Sequence, residues 1–130
     1  MKQITILTEN RVGVLANIAT LLGRHGVNIE SITAETFPDS AVIRVITKDV
    51  NTAKKVLQEA NYNLIESDVV VLKLLDRPGE LGKVATILAN EGVNIENIYL
   101  ITKNHDYALL ALRVDDPEKT KELFRSNIVE

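Results

Sequence analysis

Residues 10–32 read "NRVGVLANIATLLGRHGVNIESI", and residues 76–98 read "DRPGELGKVATILANEGVNIENI". The second stretch begins 66 positions after the first, and 12 of the 23 aligned positions are identical. Such similarity indicates an internal duplication. A unit of about 65 residues buries only roughly 60% of its unfolded surface and is marginally stable alone. The sequence therefore predicts two small domains, residues 1–68 and 69–130, that pack against each other or against another chain.

Along the first copy, the spacing of the apolar residues switches between that of a strand and that of a helix. "QITILT" (3–8) alternates as a strand does, and the apolar residues of 15–22 follow the spacing of an amphipathic helix that ends at Gly26. "VNIESITAE" (27–35) predicts a second strand whose inward side chains are Val27, Ile29 and Ile32. After the "FPDS" turn, "AVIRVIT" (41–47) predicts a third strand. Residues 49–60 predict a second helix, with Asp49 or Asn51 as its N-cap.

The second copy repeats this order with a weaker ending. "LIESDVVVLKLL" (64–75) is too long for one strand, so it predicts the fourth strand of copy one followed by the first strand of copy two. The second helix of copy two begins with Asp116 as cap and Pro117 in the first turn. Only "SNIVE" (126–130) remains for a last strand. The predicted fold class is α+β, with two ferredoxin-like βαββαβ units of which the second has a short or missing last strand.

A glycine stands between the first strand and the first helix of each copy, at Gly13 and at Gly79. Glycine permits a positive φ at a sharp turn and lets another group approach the main chain. The amides of residues 14–16 and 80–82 are then the unpaired donors of a helix N-terminus, which attracts a carboxylate or phosphate. Two interpretations stay open: a plain turn, or an anion-binding corner.

Asn28 and Asn94 follow the helix-ending glycines and begin a strand, although asparagine is a poor strand former. The side chain can bond its own backbone as a turn residue does. It can also offer one acceptor and two donors to a bound amino acid. The residues alone leave both explanations open.

Both stretches resemble the ACT domain, a small regulatory module that binds amino acids. The family's hallmark is an N/D-R-P-G-x-L loop followed by G-V/I-N-I. Here "NRVGVL" and "DRPGEL" are each followed by "GVNI", with the two glycines 13 residues apart. The resemblance covers nearly the whole chain as two ACT units in tandem. The first unit is also similar to the ACT domains of phosphoglycerate dehydrogenase and of the acetolactate synthase regulatory subunit.

The resemblance implies where an amino acid binds. For the first site it implies Asn10, Gly13, Val14 and Leu15, with Asn28 contributed by a neighbouring unit. The equivalents in the second copy are Asp76, Gly79, Glu80, Leu81 and Asn94. Val12 departs from the usual Pro and loosens the first loop. Asp76 departs from the usual Asn, and its carboxylate would repel a ligand carboxylate, so the first site is expected to bind better.

Other classes of function find little support in the sequence. The net charge of −3 and a 4% aromatic content argue against a nucleic-acid-binding sheet. His25 aligns with Glu91 and His105 with Asp39, so neither histidine is repeated and both are expected at the surface. Asp115 and Asp116 are expected to cap a helix rather than bind metal. The chain is predicted to be no enzyme, with no catalytic residues, cofactor or metal.

The expected function is amino-acid sensing that regulates an enzyme or another protein in trans, by a homodimer with extended sheets. An acetolactate-synthase-type regulatory subunit is one form of this expectation. A ligand-free module that mediates protein–protein assembly stays open as an alternative. No apolar run of eighteen residues, no signal-like N-terminus and no cysteine occur, so a cytoplasmic location is expected.

Overall fold

The computed structural model describes residues 1–129, and the chain divides into two compact units. The first unit comprises Lys2–Ser67, and the second begins at Asp68 and also includes Met1. The elements of the first unit are β1 (Lys2–Thr8), α1 (Val14–Arg24), β2 (Ser31–Thr36), β3 (Ala41–Thr47), α2 (Val50–Glu59) and β4 (Asn63–Asp68). The second contains β5 (Val70–Leu75), α3 (Glu80–Asn90), β6 (Ile95–Lys103), β7 (Tyr107–Val114) and α4 (Pro117–Leu123).

The sheet of the first unit has the order β2-β3-β1-β4. In the antiparallel pair of β1 and β3, Ile4 lies opposite Val45 and Ile6 opposite Ile43. Residues paired in this way point to the same face of a sheet. These four aliphatic side chains are buried with apolar residues of both helices: Ile18 and Leu22 of α1, and Ala53, Val56 and Leu57 of α2. The core therefore lies on one face of the sheet, beneath α1 and α2.

The sheet of the second unit has the order β5-β7-β6. Its core joins α3 and α4 to one sheet face through Val70, Leu72, Val84, Leu88, Leu112, Val114 and Phe124. The predicted last strand is reduced to a single bridge between Leu72 and Ile128. The α+β class and the two tandem ferredoxin-like units are thus confirmed.

Helix ends follow the local signals in the sequence. The carboxylate of Asp49 accepts the amide of Thr52 at 3.3 Å, so Asp49 rather than Asn51 caps α2. Asp116 caps α4 in the same way through the amide of Lys119 at 3.1 Å, with Pro117 in the first turn. Gly26 and Gly92 follow α1 and α3 with φ of 72° and 73°. That left-handed conformation is the one for which glycine ends a helix at little cost.

Two details differ from the expectations. β2 begins at Ser31 rather than at residue 27, and Ile32 stays 38% exposed although it lies opposite the buried Val45. The reason is that β2 is an edge strand, which has a neighbour on one side only. In β6 the register shifts between Leu100 and Thr102, which leaves Ile101 as a bulge residue.

The bulge changes the alignment of the two copies. The last pair of the β2–β3 hairpin is Thr36 with Ala41, and the matching pair in copy two is Lys103 with Ala108. Beyond the bulge, equivalent residues are therefore 67 positions apart instead of 66. His105 therefore corresponds to Pro38, and its predicted alignment with Asp39 is wrong. Within residues 1–129 no helix combines the length and the apolar character needed to cross a membrane.

Candidate ligand-binding loops

Each unit has a glycine corner between its first strand and its first helix. Gly13 is the N-cap residue of α1 with φ 87° and ψ 0°, and Gly79 is the N-cap residue of α3 with φ 88° and ψ −14°. No side chain caps either helix by a hydrogen bond. The positive φ explains why glycine stands at both places. We call residues 10–16 loop one and residues 76–82 loop two.

Free backbone amides follow each glycine. In loop one the amide of Val14 reaches only the carbonyl of Arg11, at 3.4 Å. The amides of Leu15 and Ala16 donate no hydrogen bond to any atom of residues 1–129. Loop two is alike. The amide of Glu80 reaches only the carbonyl of Arg77, at 3.4 Å, and the amides of Leu81 and Gly82 donate no hydrogen bond within residues 1–129. Each corner thus presents two free donors at the positive end of a helix.

An open cleft of about 390 Å³ lies beside loop one, between α1 and the β2–β3 hairpin. Most of its lining is apolar, and the lining residues are Arg11, Gly13, Val14, Leu15, Ala16, Ala34, Glu35, Thr36, Ala41 and Ile43. Three of the predicted residues, Gly13, Val14 and Leu15, therefore line one cavity. Val14 is only 6% exposed, because its side chain also belongs to the core of the first unit.

Asn10 connects loop one to the hairpin that follows it. Its Nδ2 donates to the carbonyl oxygen of Phe37 at 2.8 Å. Its Oδ1 accepts no hydrogen bond from the described residues, so it remains available as an acceptor. Asn10 is not among the residues that line the cleft; its side chain contacts the β2–β3 turn at Phe37, and one of its polar atoms is already in use.

Loop two carries more charge than loop one. Asp76 pairs with Lys103 at 3.4 Å. The carboxylate of Glu80 accepts Nε of Arg77 at 2.6 Å and Nζ of Lys83 at 3.2 Å. These hydrogen bonds, that of Arg77 first, hold the pKa of the Glu80 carboxyl below its ordinary value of 4.5. Arg11, the counterpart of Arg77, forms no ion pair with any residue between 1 and 129.

Asn28 and Asn94 lie at the other ends of the helices that the glycine corners begin. Asn28 is exposed, and its Nδ2 reaches Oε1 of Glu30 at 3.3 Å. Asn94 is also exposed, and its backbone amide donates to Asp115 at 2.9 Å. An 11-residue helix such as α1 is about 16 Å long, at about 1.5 Å per residue. Asn28 therefore cannot reach the corner of its own unit, and the structure does not bring it together with Gly13 there.

Comparison with known sequences identifies the fold family. Residues 1–130 match the family described as "ACT domain pair". The chain belongs to this ACT domain pair family. The recognition made from the two "GVNI" motifs is therefore confirmed.

Several relatives resemble the whole ACT pair. A probable acetolactate synthase small subunit from Archaeoglobus fulgidus is 39% identical over 128 residues, covering 87% of this chain and 77% of the relative. The acetolactate synthase small subunit of Mycobacterium leprae is 26% identical, with 97% of this chain and 88% of the relative covered. This ACT pair is thus related to acetolactate synthase small subunits.

Solved structures agree on the fold. A protein from Bacteroides thetaiotaomicron is 27% identical, with a TM-score of 0.89 and coverage of 98% of this chain and 90% of that one. The ligand-free regulatory subunit of aspartate kinase from Thermus thermophilus has a TM-score of 0.73 at 17% identity, with 96% and 89% covered. At this identity the second likeness concerns the ACT fold alone.

The sequence did not indicate some of the residues that line the cleft beside loop one. Arg11 lines the cleft, and so do Ala34 and Thr36 of β2. Arg11 could have been found, because it is identical to Arg77 in the repeat. The β2 residues could not, since their place beside the loop depends on how the hairpin packs against α1.

The histidines and paired acids occupy ordinary positions in the ACT units. Nδ1 of His25 lies 3.0 Å from the carbonyl oxygen of Leu21, near the exposed end of α1. His105 lies at the exposed tip of the β6–β7 hairpin. Asp116 caps α4, and Asp115 accepts the amide of Asn94. Among residues 1–129 no group of three or more His, Asp or Glu side chains is arranged to hold a metal ion.

Proposed function

We propose that this ACT pair is a regulatory protein without catalytic activity, which binds an amino acid at an interface between ACT units. It regulates an enzyme or another partner of amino-acid metabolism in trans. One observation carries the proposal: Leu15 and Ala16, whose amides are free, line an apolar cleft at the positive end of a helix. Helix N-termini with free amides bind carboxylates.

The chemistry of loop one suits each part of an amino acid. The free amides hold the carboxylate, and the unpaired guanidinium of Arg11 adds positive charge beside them. Oδ1 of Asn10 accepts a hydrogen bond from the ammonium group. The aliphatic lining, from Val14, Ala34 and Ile43, accommodates an apolar side chain better than a charged one.

A second ACT unit completes the site in this proposal. Asn28 lies about one helix length from the corner of its own unit, so an asparagine that contacts the same amino acid belongs to another unit. We place that unit in a cytoplasmic homodimer. An amino acid held in this way stabilises the interface by RT ln(1 + [L]/Kd), which is about 2.7 kcal/mol at a hundredfold excess over Kd. Binding then increases the population of the arrangement of the units in which this interface is formed.

The relatives suggest the kind of partner. Two of them are named acetolactate synthase small subunits, and the chain covers 77% and 88% of their lengths. We therefore propose that the partner is an enzyme of the acetolactate synthase type. The alternative is a ligand-free ACT module that mediates assembly only, which is favoured by the openness of the cleft to solvent.

Isothermal titration calorimetry of the purified chain against the twenty common amino acids tests the proposal. We expect heat of binding with at least one of them. The same amino acid with its α-carboxylate replaced by an amide should give no heat of binding. Heat with none of the twenty, together with an unchanged melting temperature, would support the assembly-only alternative. The trans effect is measured separately, as the activity of an acetolactate synthase catalytic subunit with and without this chain and the amino acid.

A further inference from the structure

The two loops differ at the first residue of the helix. Arg11 and Arg77 occupy equivalent positions three residues before Val14 and Glu80. In loop one the side chain at this helix position is the buried valine. In loop two it is a glutamate whose carboxylate bonds the arginine at 2.6 Å. The same arginine is therefore free in one copy and neutralised in the other.

The cations around loop two all have acidic partners within the chain. Glu80 holds Arg77 and Lys83, and its side chain is only 16% exposed beneath these two longer ones. Asp76 holds Lys103. The equivalents of Asp76, Lys83 and Lys103 in the first copy are Asn10, Asn17 and Thr36, which carry no charge.

We propose that Glu80 is a built-in carboxylate that keeps loop two from taking up an amino acid, so that each chain binds its amino acid at loop one. This inference rests on the proposed function. To pair with Arg77, a ligand carboxylate at loop two would have to displace Glu80, and it would lie beside the negative charge of Glu80 in the first turn of α3. At loop one nothing is displaced. The lowered pKa of Glu80 is consistent with a carboxylate that stays ionised and paired.

Amide-resolved NMR titration with each of the twenty common amino acids tests this inference. In the wild-type chain we expect shifts at the amides of Leu15 and Ala16, without matching shifts at Leu81 and Gly82. In Glu80→Val, which copies loop one, we expect shifts at Leu81 and Gly82 as well. Because Arg77 and Lys83 are then released from Glu80, the affinity of loop two should rise about tenfold. Glu80→Gln should act in the same direction, since it removes the charge and keeps the size.

The arginines supply a matched control. Arg11→Gln should lower the affinity measured at loop one, whereas Arg77→Gln should leave that affinity unchanged. Shifts of equal size at both loops of the wild-type chain would overturn the role of Glu80 while leaving the proposed function intact. The role of Glu80 would also be overturned if the amides of Leu81 and Gly82 showed no shift in both Glu80→Val and Glu80→Gln. No shift at either loop with any amino acid would overturn both this inference and the proposed function.

Discussion

Nδ2 of Asn10 lies 2.8 Å from the carbonyl oxygen of Phe37, 27 residues further along the chain. This bond connects loop one to the β2–β3 turn. In loop two the connection is different: the backbone amide of Asp76 donates to the carbonyl of Asp106 at 2.9 Å, and the Asp76 carboxylate pairs with Lys103. The first corner is therefore held by a side-chain amide, and the second by a main-chain hydrogen bond together with an ion pair.

Replacing Asn10 with alanine should weaken both the corner and the binding of an amino acid. The variant loses the bond to Phe37 and the free Oδ1, and one such hydrogen bond contributes about 0.5–1.5 kcal/mol to stability. We expect a loss of unfolding free energy in the lower half of that range, because the site is exposed. Denaturant unfolding and calorimetric titration measure the two effects. Asn51→Ala is the control, an exposed asparagine on α2 away from the loop; an equal loss of affinity there would contradict the prediction.

Val12→Pro should stabilise the chain. Val12 is fully exposed, and Pro78 occupies the equivalent position in loop two before a glycine of nearly the same φ. Proline restricts the unfolded chain, which stabilises a compatible turn by about 0.4–1 kcal/mol. Thermal unfolding measures the gain, and Pro78→Val should lose a similar amount. Destabilisation by Val12→Pro would mean that the two turns differ in backbone conformation.

Asn28→Ala should lower ligand affinity without unfolding the chain. The side chain is exposed and makes one long contact with Glu30, so we expect the unfolding free energy to change by less than about 0.5 kcal/mol. Loss of a hydrogen bond to a charged ligand group should reduce affinity about tenfold or more. Titration of Asn94→Ala is the control and should give wild-type affinity. The reverse pattern would assign the contact to Asn94.

Glu80 should make stability depend on pH in a defined direction. Its pKa is lower in the folded chain than its ordinary value of 4.5, so the folded state binds fewer protons than the unfolded state in that range. Its stabilisation is therefore present above pH 4.5 and is lost as the pH falls through the folded pKa. We expect the difference in unfolding free energy between wild type and Glu80→Gln to be largest at neutral pH and to vanish in acid.

The matched control for this titration is Glu118→Gln. Glu118 also lies in the first turn of a helix, but its nearest cation, Lys121, is 3.8 Å away. At neutral pH this variant should lose less unfolding free energy than Glu80→Gln, because its ion pair is longer. A difference between wild type and Glu80→Gln that is the same at neutral and acid pH would contradict the assigned ion pairs.

Local signals in the sequence predicted much of the fold. The bounds of β3, residues 41–47, match its alternating apolar pattern, and the caps Asp49 and Asp116 stand where acceptors for free amides are needed. Ile32 shows where such signals fail. It lies opposite the buried Val45, as its predicted inward position requires, but periodicity cannot tell an edge strand from a central one.

The sequence by itself determined the duplication, the order of the elements and the glycine corners, because each depends on interactions within a few residues. Tertiary structure alone decided which strands form the edges and where Ile101 bulges. It also decided that Asn10 bonds Phe37 and that β2 lines a cleft beside Gly13. The physical reason is that these features depend on how sheet and helix pack rather than on any local preference. Asn10 and Phe37, for example, are 27 residues apart in the chain.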